Sequence, residues 1–197
     1  MEETDEVSAA WVALDDWLSR RAKRIRRSLA PGASDAEIGA VEARLGFDLP
    51  EDVRTSYRIH NGGEESDLFP ASEAEDMGYS LIPLEEIVEH WEGNWQYNSG
   101  YEPDAFDVDP GVRSVYWDPK WVPLATNGGG DYHCVDLNPD EGGTVGQVIE
   151  FLHETNERRL LASSWTAWLR SLADGLESKQ FKYDAECGIV RKVDRGS

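Results

Sequence analysis

Apolar residues recur at three- and four-residue steps from Val7 to Leu29, through Ala10, Trp11, Leu14, Trp17, Leu18, Ala22 and Ile25. That stripe predicts one amphipathic helix packed by a single face. Its arginines fall on the flanks and near the C-terminal end, where positive charge complements the helix dipole. Pro31-Gly32 breaks the chain, and Ser34-Asp35-Ala36-Glu37 is a capping-box sequence opening a second helix with Ile38, Val41 and Leu45 inward. Gly46 ends it. A third helix is expected from Pro50, with Val53 and Tyr57 on its apolar side, Asn61-Gly62 as a left-handed cap and His60 serving the helix end.

Beyond this point the period shortens. Asp67 to Phe69 and Tyr79 to Ile82 predict short strands around an acidic loop, Ser72 to Asp76; Leu84 to Trp91 predicts a short helix. From Glu92 to Lys120 the periodicity stops, and Trp95, Tyr97, Tyr101, Phe106, Tyr116 and Trp117 alternate with carboxylates. Segments of this length are often functional. Three strands follow, Val122 to Ala125, Tyr132 to Leu137 and Val145 to Phe151, separated by the turn sequences Asn127 to Asp131 and Asn138 to Gly143. They predict two hairpins in which Tyr132, Cys134 and Asp136 share one face and His133, Val135 and Leu137 the other. Trp165, Trp168, Leu169, Leu172 and Leu176 mark a last helix, and the chain then turns polar.

Composition narrows the partner class. The chain has 197 residues, enough for one domain core, and a net charge of −20. Six of its basic residues crowd between Arg20 and Arg27, so the remainder is more acidic still. Such a surface repels nucleic acid and anionic membranes and steers a basic protein. No apolar run approaches the ~20 residues that span a bilayer and no signal-peptide pattern opens the chain, so a cytoplasmic location is expected. Cys134 and Cys187 stand alone, which argues against a disulfide framework or structural zinc.

No catalytic constellation emerges. The Gly-rich turn at Asn127 to Asp131 lacks the Lys-Ser or Lys-Thr and the helix of a phosphate loop, so a hairpin turn is expected. His60, His90, His133 and His153 are dispersed. Adjacent strand positions point His133 and Cys134 to opposite faces, which excludes a nucleophile pair. No enzyme activity, cofactor or metal is expected.

The stretch WVPLATNGGGDYHCVDLNP followed by GGTVGQVIEF resembles the SMI1/KNR4 (SUKH) family, with its Trp-Val-Pro strand, Asp-Leu-x-Pro strand end and Gly-Gln-Val-Ile strand. PGASDAEIGAVEARLGFDLPEDVRTSYRIHNGG resembles the family's N-terminal helices, and LIPLEEIVEHW its Leu-x-x-Leu-x-x-Ile segment before a Trp. The resemblance implies a single α+β domain over residues 1–180: N-terminal helices, a mostly antiparallel central sheet and a C-terminal helix, with 181–197 an extension or tail. It also implies a non-catalytic protein-binding role. On the bacterial side that role is an immunity protein neutralising a toxin, often a nuclease; on the fungal side it is a regulator of cell-wall synthesis acting through protein contacts. Arginine exceeds lysine 14 to five, which hints at a GC-rich bacterial genome. The expectation is therefore an immunity protein whose acidic, aromatic-bearing face plugs a basic toxin. Trp95, Tyr97, Tyr101, Asp104, Asp107 and Asp109 would form the contact, with Glu64, Glu65 and Asp131 at the rim. The alternatives are inward-folded aromatics that cover the sheet, and a regulatory scaffold in cell-wall synthesis or signalling. A homodimer is left open.

Overall fold

The computed structural model describes residues 3–63, 66–71, 78–98 and 106–192, with the side chains of residues 3, 95, 97 and 98 outside that description. Two helices, α1 (Glu3–Arg21) and α2 (Lys23–Ser28), replace the single N-terminal helix expected. The break falls at Ala22, whose φ of −138° and ψ of 59° leave the helical region. Ala22 and Ile25 stay buried across the bend. The stripe thus stays on the core while the chain turns into β1 (Leu29–Pro31), which pairs antiparallel with β2 (His60–Gly63). A periodic stripe specifies the buried side, not a straight axis.

The second helix, α3 (Asp35–Leu45), starts on its capping box: Glu37 N–H donates to Ser34 Oγ, and Ser34 N–H donates to the Glu37 carboxylate at 2.7 Å. Gly46 closes it in the left-handed region at φ 79°. In contrast, α4 (Glu51–Ile59) has no left-handed cap, because His60 is extended and leads directly into β2. Asp52 of α4 is buried and accepts the Thr166 N–H at 3.0 Å and its hydroxyl at 3.2 Å. Those groups belong to the first turn of α6 (Trp165–Glu177), so a carboxylate supplied from α4 sits at a helix N-terminus.

The central sheet has six strands: β3 (Ser80–Leu81), β4 (Asp107–Val108), β5 (Trp121–Thr126), β6 (Tyr132–Asp136), β7 (Gln147–Phe151) and β8 (Glu157–Ala162), in the order β3-β5-β6-β7-β8-β4. All neighbours are antiparallel except β4 and β8. Asp136 and Gln147 lie opposite in register, and Gln147 Nε2 donates to Asp136 Oδ2 and to the Gly111 carbonyl, both at 2.9 Å. The two family-like strand motifs therefore meet across one ladder. Burial pushes the Asp136 carboxyl above its ordinary range, and hydrogen bonds from the Asn138 N–H and the Gln147 amide limit that shift.

Each face of the sheet is covered. On one, His133 stacks on Tyr79 at 4.0 Å and meets the edge of Trp168 from α6. On the other, Trp117 packs edge-on against Phe151 at 5.0 Å and Trp121 at 5.9 Å, while Tyr116 hydroxyl donates to the His153 carbonyl at 2.6 Å. Within the long segment after Glu92, Tyr116 and Trp117 thus fold inward as sheet cover. Residues 84–86 form a 3-10 turn leading into α5 (Ile87–Asn98), which continues past Trp91 where a loop was expected. Gly93-Asn94 looks like a breaker, but Asn94 Nδ2 donates to the His90 carbonyl, and Trp91 is anchored by Nε1 on the Pro119 carbonyl at 2.9 Å. Among the described residues no helix is long and apolar enough to cross a membrane.

Residues after α6, expected as an extension or tail, contain a hairpin of β9 (Phe181–Asp184) and β10 (Gly188–Arg191). Phe181 and Ile189 are buried, and a Cβ at Gly175 of α6 would come within 2.3 Å of the Phe181 ring. The two thiols differ accordingly. Cys134 is wholly buried, which pushes its thiol well above the ordinary range, whereas Cys187 is half-buried in the β9–β10 turn region. A thiol reagent is expected to modify Cys187 in the native protein and Cys134 only after denaturant is added; native labelling of both would place Cys134 outside the core.

Candidate functional site

Strand register brings several polar groups to one end of the sheet. Ser80 opposes Thr126, Thr126 opposes Tyr132, Tyr132 opposes Phe151, Phe151 opposes Arg158, and Asp107 pairs with Glu157. The Asn127–Asp131 turn and the loop carrying His153 close the same end. Beside β3 there is a groove of about 520 Å³. Its wall is Leu81, Ile82 and Pro83, and its rim is Arg24, Asp67, Glu86 and Asn127. A mainly apolar concavity with a few charged and amide groups at its rim suits recognition. A second depression of the same volume, along α6, is lined mainly by polar groups and spanned by the Arg170–Glu6 ion pair at 3.0 Å.

Asp67 organises the groove's rim. It occupies the left-handed region at φ 44°, which aspartate tolerates better than most residues. Three elements hold it there. Its N–H donates to Ser80 Oγ at 2.9 Å, its carbonyl accepts from Ile189 N–H of the C-terminal hairpin at 2.9 Å, and its carboxylate meets Arg24 of α2 at 3.2 Å. Hydrogen bonds that Arg24 donates to Tyr183 and Asp67 raise its guanidinium above the ordinary range despite the cost of desolvation. Sequence reasoning missed this residue. Its only signal was a position between an acidic loop and a strand, and its partners lie 43 and 122 residues away in Arg24 and Ile189.

The expected partner-binding residues are distributed as follows. Glu64, Glu65, Tyr101 and Asp104 lie outside the described residues, and Trp95 and Tyr97 are on α5 with side chains outside the description. Asp107 and Asp109 are on the β4 edge: Arg159 bonds Asp107 at 2.6 Å, and Asp109 accepts the Leu160 N–H at 2.8 Å. The Arg159 hydrogen bond holds the Asp107 carboxyl below its ordinary range. Asp131 clamps the turn, accepting from His153 N–H and Nδ1, each at 2.8 Å, and from Asn127 Nδ2 at 2.8 Å. Asp107 and Asp131 thus share the groove's end of the sheet, though each also has an internal bonding role.

The Asp131–His153 pair has the form of a base and its orienting carboxylate. Its outer nitrogen, however, faces the Glu154 carboxylate at 3.8 Å rather than a hydroxyl or thiol. Among the described residues no group of three His, Cys, Asp or Glu side chains is placed to hold a metal ion.

Comparison with known proteins gives these observations a family. The model of the SMI1/KNR4 family (SUKH-1) matches residues 32–171. The chain is 28% identical over 205 aligned positions to the cell wall biosynthesis/cell cycle regulator smi1 of Schizosaccharomyces pombe, covering 95% of this chain and 39% of that protein. It is 25% identical to the cell wall assembly regulator SMI1 of Saccharomyces cerevisiae, over 88% of this chain and 41% of the relative, and 25% identical to a glucan synthesis regulatory protein of Neurospora crassa, over 94% and 41%. The chain therefore spans about two fifths of the length of these relatives. They correct the expectation of a bacterial immunity protein with a basic toxin as its partner. These three relatives are named as fungal regulators of the cell wall or of glucan synthesis. Neither a net charge nor an arginine excess specifies a biological role. With more than half of its length inside the matched model, and with the two strand motifs joined by Asp136 and Gln147, the chain belongs to the SMI1/KNR4 family (SUKH-1).

Proposed function

We propose that this chain is a non-catalytic regulatory module that acts by holding a partner protein, in the class of the cell-wall and glucan-synthesis regulators it is similar to. The observation that carries this reading is how far the similarity reaches. It covers 95% of the chain against the S. pombe regulator, well beyond residues 32–171 and into the flanks that carry α1, α2 and the C-terminal hairpin. Those flanks help to build the groove, since Arg24 comes from α2 and Ile189 of β10 holds Asp67. The contact face would be the groove with the adjoining sheet end. Asp107 and Asp131 lie at that end, and Trp95, Tyr97, Tyr101, Asp104, Asp109, Glu64 and Glu65 remain proposed members.

Affinity capture from the source organism's lysate tests this, with wild type compared with Thr126→Arg, which projects a long cation from the groove wall. The expected result is enrichment of cell-wall or glucan-synthesis components by the wild type and a roughly tenfold loss in the variant, as for a disturbed interface anchor, with the far-UV spectrum unchanged. Equal capture by both proteins would remove the groove from the contact face. Enrichment of unrelated metabolic enzymes alone would overturn the regulatory reading.

A further inference from the structure

We propose that His60 is a charge-dependent latch that sets the shape of the groove; the groove's role as a contact face is taken from the reading above. His60 is 5% exposed. Its Nδ1 lies 3.1 Å from the Ala30 carbonyl of β1, and its Nε2 lies 3.1 and 3.2 Å from the two carboxylate oxygens of Asp15 on α1. Asp15 also accepts from Arg26 Nε of α2 at 2.9 Å. A carbonyl oxygen can only accept, and so can a carboxylate ion-paired to an arginine. Both ring nitrogens must therefore carry a proton for both contacts to be hydrogen bonds. A neutral imidazole has one N–H and must give up one of the two.

Among the described residues the ring has no other hydrogen-bond partner. Trp11 of α1 presents its ring edge at 4.8 Å, and its own Nε1 donates to Ser56 Oγ of α4 at 2.8 Å. Asp15 and Arg26 are the charged groups in contact with the imidazole and its carboxylate, and β1 contributes a carbonyl. What the latch holds together lies beside the groove. His60 and Gly63 belong to the same strand, Gly63 opposes Leu29 across the β1–β2 pair, and Arg24 shares α2 with Arg26. Gly63 and Arg24 both line the groove. With the imidazolium in place, α1, α2, β1 and β2 are tied at one point. Loss of its proton releases one tie and loosens that side of the groove.

Nitrogen-15 spectroscopy of the full chain, combined with amide exchange from pH 6 to 8.5, tests the latch. With both contacts formed, both imidazole nitrogens are expected to carry a proton. Exchange of the His60–Gly63 amides, corrected for its intrinsic pH dependence, should quicken roughly tenfold as the ring loses its proton, the scale of one charge-assisted hydrogen bond. In Asp15→Asn the amides should exchange fast already at pH 6, without a further step. A ring carrying a single N–H at pH 6 would overturn the latch, as would a wild-type exchange profile flat across the ring's titration. The readout needs no partner, so it stands or falls separately from the Thr126→Arg capture experiment.

Discussion

Replacing Arg158 with methionine is expected to cost the protein about 2–4 kcal/mol, because it removes a buried charge's hydrogen bonds to four carbonyls at once. Arg158 is the residue most unlike its sequence neighbourhood: a strand arginine with no exposed surface. Among the described residues it has no carboxylate partner. Its Nη1 donates to the carbonyls of Leu152, Thr155 and Glu157, and its Nη2 to the Tyr116 carbonyl at 2.8 Å. The guanidinium lies 4.3 Å from the Phe151 ring centroid and 5.2 Å from that of Tyr116. Desolvation pushes its pKa down to about 10, so it is still charged at neutral pH and depends on carbonyl dipoles and ring faces for compensation. Methionine fills the volume and keeps the apolar contact, but it leaves the carbonyls without donors. Urea unfolding of Arg158→Met and Arg158→Lys checks this: lysine should recover part of the loss by reaching one or two carbonyls, and two variants as stable as wild type would show that the carbonyls have other donors.

The second large effect is expected at Gly188. A Cβ there would lie 2.1 Å from Asp67 Cβ and 2.4 Å from the Asp67 carbonyl oxygen, and the residue has a φ of 78°. Gly188→Ala therefore meets both a backbone clash and a left-handed conformation, and an overall loss of about 3 kcal/mol is expected from the two together. The hairpin can relieve the clash only by moving off Asp67, which would break the Ile189 N–H to Asp67 carbonyl bond. Limited proteolysis should then cut within residues 181–192 well before the core is digested. A variant as protease-resistant as wild type would mean that the hairpin tolerates the extra carbon by a local shift.

Both residues explain why the candidate site was only partly legible in the sequence. Arg158 lies in a Glu-Arg-Arg-Leu-Leu stretch that alternates only weakly, and three of the four carbonyls it serves come from loops. Asp67 and Gly188 are separated by most of the chain, and neither carries a local signal of the other. For the aromatic, acidic segment after Glu92 the sequence leaves open both a partner-facing role and an inward-folded cover for the sheet. Trp117 and Tyr116 take the second, since the face formed by Tyr132, Cys134 and Phe151 is apolar and needs shielding from water.

Local chemistry determined what depends on neighbours in the chain. The Ser34–Glu37 capping box, the Gly46 stop, the hairpins between Trp121 and Phe151, the amphipathic α6 and the family motifs were all present in the sequence, because caps, turns and periodicity act within a few residues. Tertiary structure decided where long-range partners compete with those preferences. It bent the N-terminal helix at Ala22, carried α5 past Gly93, drew the polar C-terminal segment into a docked hairpin, and gathered Arg24, Asp67, Ser80 and Asn127 around one groove. Burial of distant surfaces outweighs a weak local preference by several kcal/mol, and a single sequence contains no record of which distant surfaces meet.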